Sequence, residues 1–167
     1  MELVVVLVGA ALVAIGGIAA VYVLGMRSRS PFVIGPLVRL QRAVINPRQL
    51  RSAGKPGAYA SIIRHVGRTS GKAYETPVGV VPTEDGFLIG LVYGSGTNWL
   101  RNVLACGSAT IVHEGQTYAV DRPEIVPMRM VGARFGASDQ RGFRLLGVDR
   151  ALRLHRMGPV EAARRAA

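Results

Sequence analysis

Cysteine is almost absent from this chain, since Cys106 is the only one among 167 residues. An intramolecular disulfide is therefore excluded, which agrees with a domain in a reducing compartment. Cys106 lies in an apolar helical pattern, so we expect a buried, unreactive thiol. The three histidines, His65, His113 and His155, are far apart and show no metal-ligand spacing, so the sequence indicates no metal site.

Acidic residues and aromatic rings are also scarce. Ten Asp and Glu stand against 21 Lys and Arg, the net charge is +11, and aromatic residues make up 6% of the chain. Such a charge favours nucleic acid, anionic lipid or an acidic small ligand as partner, or reflects an arginine-rich proteome. The few aromatic residues, and the lack of helix-turn-helix, RNP or zinc-finger patterns, argue against nucleic acid.

Patterns of self-contained catalytic sites are missing as well. The chain has no GxSxG, no HExxH and no spaced cluster of carboxylates. The sequence therefore assigns no catalytic residue. If the protein is an enzyme, we expect a cofactor to supply the reactivity and the protein to bind and orient it.

One long hydrophobic run forms the N-terminal part of the chain. Residues 3–26 contain no charged side chain and are long enough to cross a bilayer as a helix. A cleaved signal peptide is the alternative, but Glu2 precedes the run, and Arg27 and Arg29 follow it. This asymmetry favours an uncleaved single-pass anchor in the cell membrane, with the rest of the chain on the cytoplasmic side. We expect an anchor, an amphipathic helix with its linker, and one domain, at residues 1–26, 27–57 and 58–167.

Short β patterns joined by tight turns make up the middle of the chain. Their spacing favours an antiparallel barrel over alternating strands and helices. Ile125–Val126 is a candidate for one further strand. The expected strands are Tyr59–His65, Thr76–Pro82, Gly86–Tyr93, Ala109–His113 and Gln116–Val120.

Three segments have helical patterns. In Phe32–Gln49, apolar residues alternate with arginines, which is typical of an amphipathic helix at the membrane surface or on the domain. Trp99–Cys106 is a helix that Thr97 or Asn98 can cap and Gly107 can end. Residues 128–158 also have a helical pattern, and we expect them to pack on the barrel or return to the membrane.

The segment VGRTSGKAYETP, residues 66–77, contains a basic turn between two glycines. Gly67 and Gly71 permit a backbone on which successive N–H groups converge, as at an anion site. The turn is not a Walker loop, because its spacing is too short and no helix pattern follows. A solvated surface turn remains the alternative. The side chains that could bind an anion here are Arg68, Thr69, Ser70 and Lys72.

The segment YGSGTNWLRN, residues 93–102, joins a strand to a helix through a flexible turn. Free N–H groups at a helix start favour anions. Trp99, the only tryptophan, could cover a planar ligand or serve as a core anchor. Arg101 could reach a phosphate or stay solvated.

These segments occur in the order typical of one family. The GRTSG…TP segment at Gly67–Pro77, the hairpin after it, GSGTNWLRN at Gly94–Asn102 and the strand pair after Cys106 resemble the deazaflavin-dependent nitroreductases. Members of that family come largely from mycobacteria and related actinobacteria. The resemblance covers roughly Asn46–Val126, about half of the chain.

The resemblance implies a mainly β fold, a split β-barrel of the FMN-binding type with flanking helices, and coenzyme F420 as cofactor. F420 is an 8-hydroxy-5-deazaflavin with a phosphate and an oligoglutamate tail, and FMN is the alternative because related barrels use it. In the family the turn contacts the phosphate-bearing tail, while the later segments flank the ring. The cofactor-binding residues implied here are Arg68, Thr69, Ser70, Gly71, Lys72, Thr76, Pro77, Tyr93, Gly94, Ser95, Asn98 and Trp99.

This chain departs from the family at several places. Thr69 stands where a second basic residue is frequent, and the loop before Trp99 is shorter than in the best-known members. Those members close over the substrate with C-terminal tyrosines, whereas residues 128–158 contain Phe135 and Phe143 and no tyrosine.

Together the anchor and the resemblance indicate a membrane-anchored F420H2-dependent reductase. A hydride would pass to an electron-poor acceptor, a quinone such as menaquinone or a nitro compound, and Tyr93 is a candidate proton source. The alternative is a non-catalytic membrane-bound module that holds F420, a lipid or a fatty acid. A third hypothesis is an interaction protein whose basic segments contact anionic lipid. The sequence leaves the oligomeric state open.

Overall fold

A single antiparallel sheet of seven strands forms the centre of the protein, in the order β2-β1-β5-β6-β7-β4-β3. The computed structural model describes residues 1–157. The strands are β1 (Ser61–Val66), β2 (Ala73–Val78), β3 (Val81–Pro82), β4 (Gly86–Gly90), β5 (Ser108–His113), β6 (Gln116–Pro127) and β7 (Arg150–Arg156).

The connection between β2 and β3 requires the sheet to curl. These strands are the two edges of the sheet, yet only Gly79 and Val80 separate them along the chain. A two-residue link cannot span a flat sheet of seven strands, which are spaced about 4.8 Å apart. The sheet therefore bends until its edges approach each other, as in a barrel that is left open on one side. The predicted mainly β, barrel-type fold with flanking helices is confirmed.

Helices surround this sheet. The first, α1, is uninterrupted over 26 residues, and the next begins with Pro31, whose fixed backbone suits the first helical position. The helices are α1 (Glu2–Arg27), α2 (Pro31–Leu40), α3 (Asn46–Gln49), α4 (Asn98–Cys106), α5 (Met128–Val131) and α6 (Ala137–Leu146). A π-helical turn, Gln41–Ile45, joins α2 to α3 without a break, and we call residues 31–49 the surface helix.

The apolar part of α1 lies outside the core. Val4–Arg27 has a mean hydropathy of 2.8, and none of the residues in its most apolar window is buried. By length and composition this helix can cross a membrane. Among residues 1–157, only its C-terminal end touches the rest of the protein, where Met26 is fully buried.

The tight turns predicted from the sequence are present. Glu114 and Gly115 both have positive φ, at 51° and 75°, between β5 and β6. Two central residues of this kind match the twist of a hairpin. The strand predicted at Ile125–Val126 belongs to β6, which continues past an irregularity between Asp121 and Glu124.

The helix predicted over residues 128–158 is wrong for its last part. It is right for α6, which ends at Gly147 in the left-handed conformation, with φ 66°. After this end the chain forms β7, which lies between β6 and β4 in the sheet. Leu152 and Leu154 are buried at a spacing of two, a strand period that the many arginines concealed. Residue 158 lies outside the described residues.

The prediction of a buried Cys106 is also wrong, because its side chain is exposed. Cys106 lies in the last turn of α4, next to Gly107, whose φ of 72° ends the helix. Leu100 and Val103, three residues apart, face the core instead. The apolar residues of α4 do lie on one buried face of the helix, but Cys106 is not on that face.

Candidate functional site

A cavity of about 640 Å³ lies between the surface helix, the β1–β2 hairpin with its basic turn, the end of β4 and the start of α4. Its walls are therefore drawn from several separate parts of the chain. The volume is within the range of small-molecule sites. Both polar and apolar residues line it.

The structure brings most of the sequence-predicted site residues to this one cavity. The exceptions are Gly71, Lys72 and Ser95, which do not line it. Gly71 still shapes the turn, through a φ of 65°. The predicted residues in the cavity wall are Arg68, Thr69, Ser70, Thr76, Pro77, Tyr93, Gly94, Asn98 and Trp99.

The backbone of the basic turn is closed by its own hydrogen bonds. The N–H of Gly67 donates to the carbonyl of Lys72, and the N–H of Gly71 donates to the carbonyl of Gly67, both at 2.8 Å. A side chain at Gly67 would overlap Ser70 Oγ and the Tyr74 ring, so this glycine is needed for close packing. The expected set of convergent N–H groups is therefore reduced to those of Thr69 and Ser70, which have no acceptor among residues 1–157.

Asn102 on α4 holds Arg68 in place. Its Oδ1 accepts hydrogen bonds from the backbone N–H of Arg68 at 3.2 Å and from the guanidinium Nη1 at 2.9 Å. Asn102 is buried, whereas Arg68 is exposed. A flexible side chain is thus fixed at the cavity wall before any anion arrives, which lowers the entropy lost on binding.

The same amide determines the tautomer of His65. Because Asn102 Oδ1 already accepts two bonds, its Nδ2 faces His65 Nδ1, at 3.2 Å, and Nδ1 must accept. The proton of His65 is then on Nε2, which donates to Thr76 Oγ1 at 3.2 Å. Burial lowers the pKa of His65, so the neutral ring that this network requires is also favoured by desolvation.

Two polar atoms in the cavity wall have no partner within residues 1–157. They are Asn46 Oδ1, on the surface helix, and Thr97 Oγ1, at the start of α4. A buried polar atom without a partner costs about 1–3 kcal/mol, so such atoms point to a ligand that completes their bonding.

Trp99 has the position of a core anchor, and its role in covering a planar ligand stays a prediction. Its side chain is partly buried, packs against the main core cluster and lines the cavity. Thr97 is the N-cap position of α4 but makes no side-chain capping bond. The first N–H groups of α4 are therefore available near the cavity, where the helix dipole favours negative charge.

Tyr93 also lies in the cavity wall. Burial, and then the neighbouring Tyr22 phenol, raise the pKa of Tyr93. Its hydroxyl therefore stays protonated at neutral pH and can donate a proton or a hydrogen bond.

Sequence reasoning missed one wall of the cavity and two polar residues in the others. The missed wall is the surface helix, which contributes Val38, Gln41 and Asn46 among others. The missed polar residues are His65 and Asn102, which also line the cavity. Asn102 follows Trp99 by three residues on the same helix, and this spacing was a usable signal. Within residues 1–157, no group of three or more His, Cys, Asp and Glu could hold a metal ion.

No protein-family model and no curated protein matches this chain. Solved structures similar to it include HutZ, the heme storage protein from Vibrio cholerae, at 15% identity over 60% of this chain and 82% of that one, with a TM-score of 0.43. An F420-H2 dependent reductase, FDR-A, is 12% identical over 56% and 91%, with a TM-score of 0.38. An F420 reductase is 11% identical over 65% and 92%, with a TM-score of 0.41.

Two of these three proteins are named as F420 reductases. At these identities and TM-scores, evidence for the ligand of this chain must come from its own cavity residues.

Proposed function

We propose that the protein is a membrane-anchored reductase that binds F420H2 and passes a hydride to an electron-poor acceptor. The observation that supports this most directly is the single cavity into which the basic turn, the Thr76–Pro77 step and Trp99 all project. The turn and the Thr76–Pro77 step belong to the β1–β2 hairpin, whereas Trp99 lies on α4, beyond β3 and β4. The meeting of Trp99 with the hairpin therefore depends on the tertiary fold.

The residues present fit the two ends of F420. Arg68, fixed by Asn102, and the free N–H groups of Thr69 and Ser70 suit the phosphate of the tail. Asn46 Oδ1 needs a donor, which an imide N–H or the phenolic hydroxyl of a deazaflavin provides. Thr97 Oγ1 can donate or accept. FMN shares the phosphate and the imide, so the distinction between the two cofactors is left to measurement.

The chain's own residues would bind, orient and exclude water. When bound, the reduced deazaflavin supplies a hydride from its C5. Pro77, which is buried, and Trp99 would confine the planar ring, and Arg68 would fix its tail. Confinement of this kind holds reacting atoms near contact distance and keeps solvent out. Tyr93, which lines the cavity, would give a proton to the reduced acceptor.

The acceptor that we propose is a lipid-soluble quinone, with a nitro compound as the alternative. The support for it is α1, a helix that can cross a membrane and whose end packs against the domain. Arginines at the C-terminal end of α1 favour a cytoplasmic location for the domain.

The first prediction tests the cofactor. Titration of the detergent-solubilised full chain with F420 should quench Trp99 fluorescence with micromolar affinity, and the same titration with FMN distinguishes the two cofactors. Arg68→Gln should weaken F420 binding about tenfold or more, because it removes a charge-assisted contact to phosphate. Arg129→Gln is the matched control, since Arg129 is exposed on α5 and does not line the cavity.

Turnover separates the reductase from a binding module. Oxidation of F420H2 in the presence of menadione, followed by the return of deazaflavin absorbance, is the expected result. Tight F420 binding without any oxidation would favour the non-catalytic module. If neither F420 nor FMN changes Trp99 fluorescence in a folded sample, the cofactor assignment is wrong.

A further inference from the structure

The surface helix begins close to the end of the possible membrane span. Only Ser28, Arg29 and Ser30 separate α1 from α2, so their ends lie within about 14 Å of each other. If α1 crosses a bilayer, its charged end at Arg27 lies among the lipid headgroups. The start of the surface helix is then held near the same headgroups.

Side-chain contacts hold the end of α1 and the start of the surface helix against the rest of the domain. Arg27 Nη1 donates to the carbonyl of Arg144 at 2.9 Å, at the end of α6. Arg29 donates to the carbonyls of Val92 and Gly147 and forms an ion pair with Asp149. A side chain at Gly25 would overlap that of Val33, so α1 and α2 touch directly. The domain therefore has one orientation relative to α1.

One side of the surface helix is apolar and exposed. Phe32 is 88% exposed and Leu40 is 52% exposed, and Val44 and Ile45 are also exposed. Nothing within residues 1–157 covers these side chains. An apolar strip of this kind on a helix with basic residues is typical of helices that lie in a membrane interface.

Along the chain, the segment that contains this strip carries charge of one sign. Residues 3–74 contain no Asp or Glu. Each basic residue close to an anionic membrane surface is attracted to it, while a neutral surface offers no such partner. The basic residues between 27 and 55 are Arg27, Arg29, Arg39, Arg42, Arg48, Arg51 and Lys55.

The other side of the same helix lines the cavity, through Val38, Gln41, Asn46 and Gln49. The π-helical turn Gln41–Ile45 lies in the middle of this stretch, and such turns are frequent at functional sites. One helix thus has a cavity side and an uncovered apolar side.

We propose that the surface helix lies in the headgroup region of an anionic bilayer and forms the wall between that bilayer and the cavity. A lipid-soluble acceptor then reaches the cavity past this helix, without crossing bulk water. This inference rests on the proposed function for the nature of the acceptor, but the position of the helix does not depend on any cofactor.

Single-cysteine labelling of the full chain tests the position of the helix. Cys106 is the only cysteine and is exposed, so Cys106→Ser gives a background for single probes. Leu40→Cys and Val44→Cys place an NBD label on the apolar side of the helix. Glu84→Cys is the control, because its turn lies at the opposite end of β4 from the Arg29 contact at Val92.

Each labelled protein is reconstituted into vesicles of phosphatidylcholine with or without phosphatidylglycerol. We expect blue-shifted emission at positions 40 and 44 in the anionic vesicles, with quenching by nitroxide-labelled lipid, and water-like emission at position 84. In neutral vesicles, or in the double variant Arg39→Gln/Arg48→Gln, the shift should be smaller, and high salt should reduce it. Arg64→Gln/Arg153→Gln removes the same charge from β1 and β7 and should leave the shift unchanged.

The outcomes distinguish this inference from the proposed function. Water-like emission at positions 40 and 44, in vesicles that still retain the protein, would overturn the interfacial helix and leave the reductase intact. Loss of the protein from the vesicles would overturn both the anchor and the interfacial helix. An equal shift in neutral and anionic vesicles would refute the charge-based part of the proposal. None of these readings depends on F420.

Discussion

Asn102 is the residue on which the geometry of the basic turn depends. It connects Arg68, on one side, with His65 and through it Thr76, on the other. A hydrophobic residue of similar size would leave the N–H of Arg68 and Nδ1 of His65 without partners in a buried place. A position of this kind is important although it never has to touch a ligand.

We expect Asn102→Leu to lower the free energy of unfolding by about 2–3 kcal/mol, because several buried hydrogen bonds are lost at once. Thermal unfolding in detergent, followed by Trp99 fluorescence, measures this loss. Asn102→Asp is the informative companion, since it keeps the acceptor for Arg68 but places a carboxylate against His65 Nδ1. The pKa of His65, measured by NMR, should then rise. An unchanged pKa would mean that the amide does not control this ring.

His65 also predicts a pH dependence of stability. Burial lowers its pKa below 6.5, so the unfolded chain binds a proton before the folded chain does. The contribution of His65 to the free energy of unfolding is therefore fully present above pH 6.5. It is lost as the pH falls through the pKa of His65 in the folded protein, at up to about 1.4 kcal/mol per pH unit. The difference between wild type and His65→Gln, in unfolding scans across this range, isolates the effect from the other histidines. Parallel pH profiles for the two proteins would contradict it.

Among the secondary-structure elements, those with local signals were predicted well. The β5–β6 hairpin follows from Glu114–Gly115, and α4 follows from its start at Thr97 and its end at Gly107. β7 was missed because its partners, β4 and β6, are distant in sequence and its period-two pattern is short. Strand pairing of this kind depends on tertiary contacts more than on propensity.

The parts of the cavity also divide into those with a local sequence signal and those that depend on tertiary contacts. Its basic turn and helix start were predicted, because each is a continuous piece of chain with its own chemistry. The surface helix was expected to contact the membrane or the domain, yet its place in the cavity wall depends on how α1 and α2 pack at Gly25 and Val33. His65 was set aside as an isolated histidine, since nothing local connects it with Asn102 on another element.

The end of α6 offers a prediction in which one chemical change has opposite effects at two positions. Gly147 has a φ of 66°, so Gly147→Ala should destabilise the protein by about 1–2 kcal/mol. Gly142 lies inside α6, with nothing within 4 Å of an added Cβ, so Gly142→Ala should stabilise by about 0.5–1 kcal/mol. Chemical denaturation of both variants provides the comparison. If both changes destabilise the protein equally, helix α6 does not end as described.

At the scale of the whole molecule, the contact between α1 and the domain sets where the cavity lies relative to a membrane. Arg29, in the link after α1, has an unusual φ of 55°. Its side chain bonds to Val92, in the chain after β4, and to Gly147, after α6. The energetic value of its exposed ion pair with Asp149 is small, since such pairs contribute about 0–1 kcal/mol. The two bonds to backbone carbonyls, which are partly buried, are therefore the main connection.

Arg29→Gly should loosen this connection without straining the backbone, because glycine accepts a positive φ. We expect trypsin to cleave after Arg27 faster and to release the domain from vesicles sooner than in the wild type. Arg122→Gly is the matched control, since Arg122 also has a positive φ, of 48°, but its side chain pairs with the adjacent Asp121 and does not reach α1. Equal release rates for the two variants would show that Arg29 does not hold the domain against the anchor, and the position of the cavity relative to the bilayer would then depend on the surface helix.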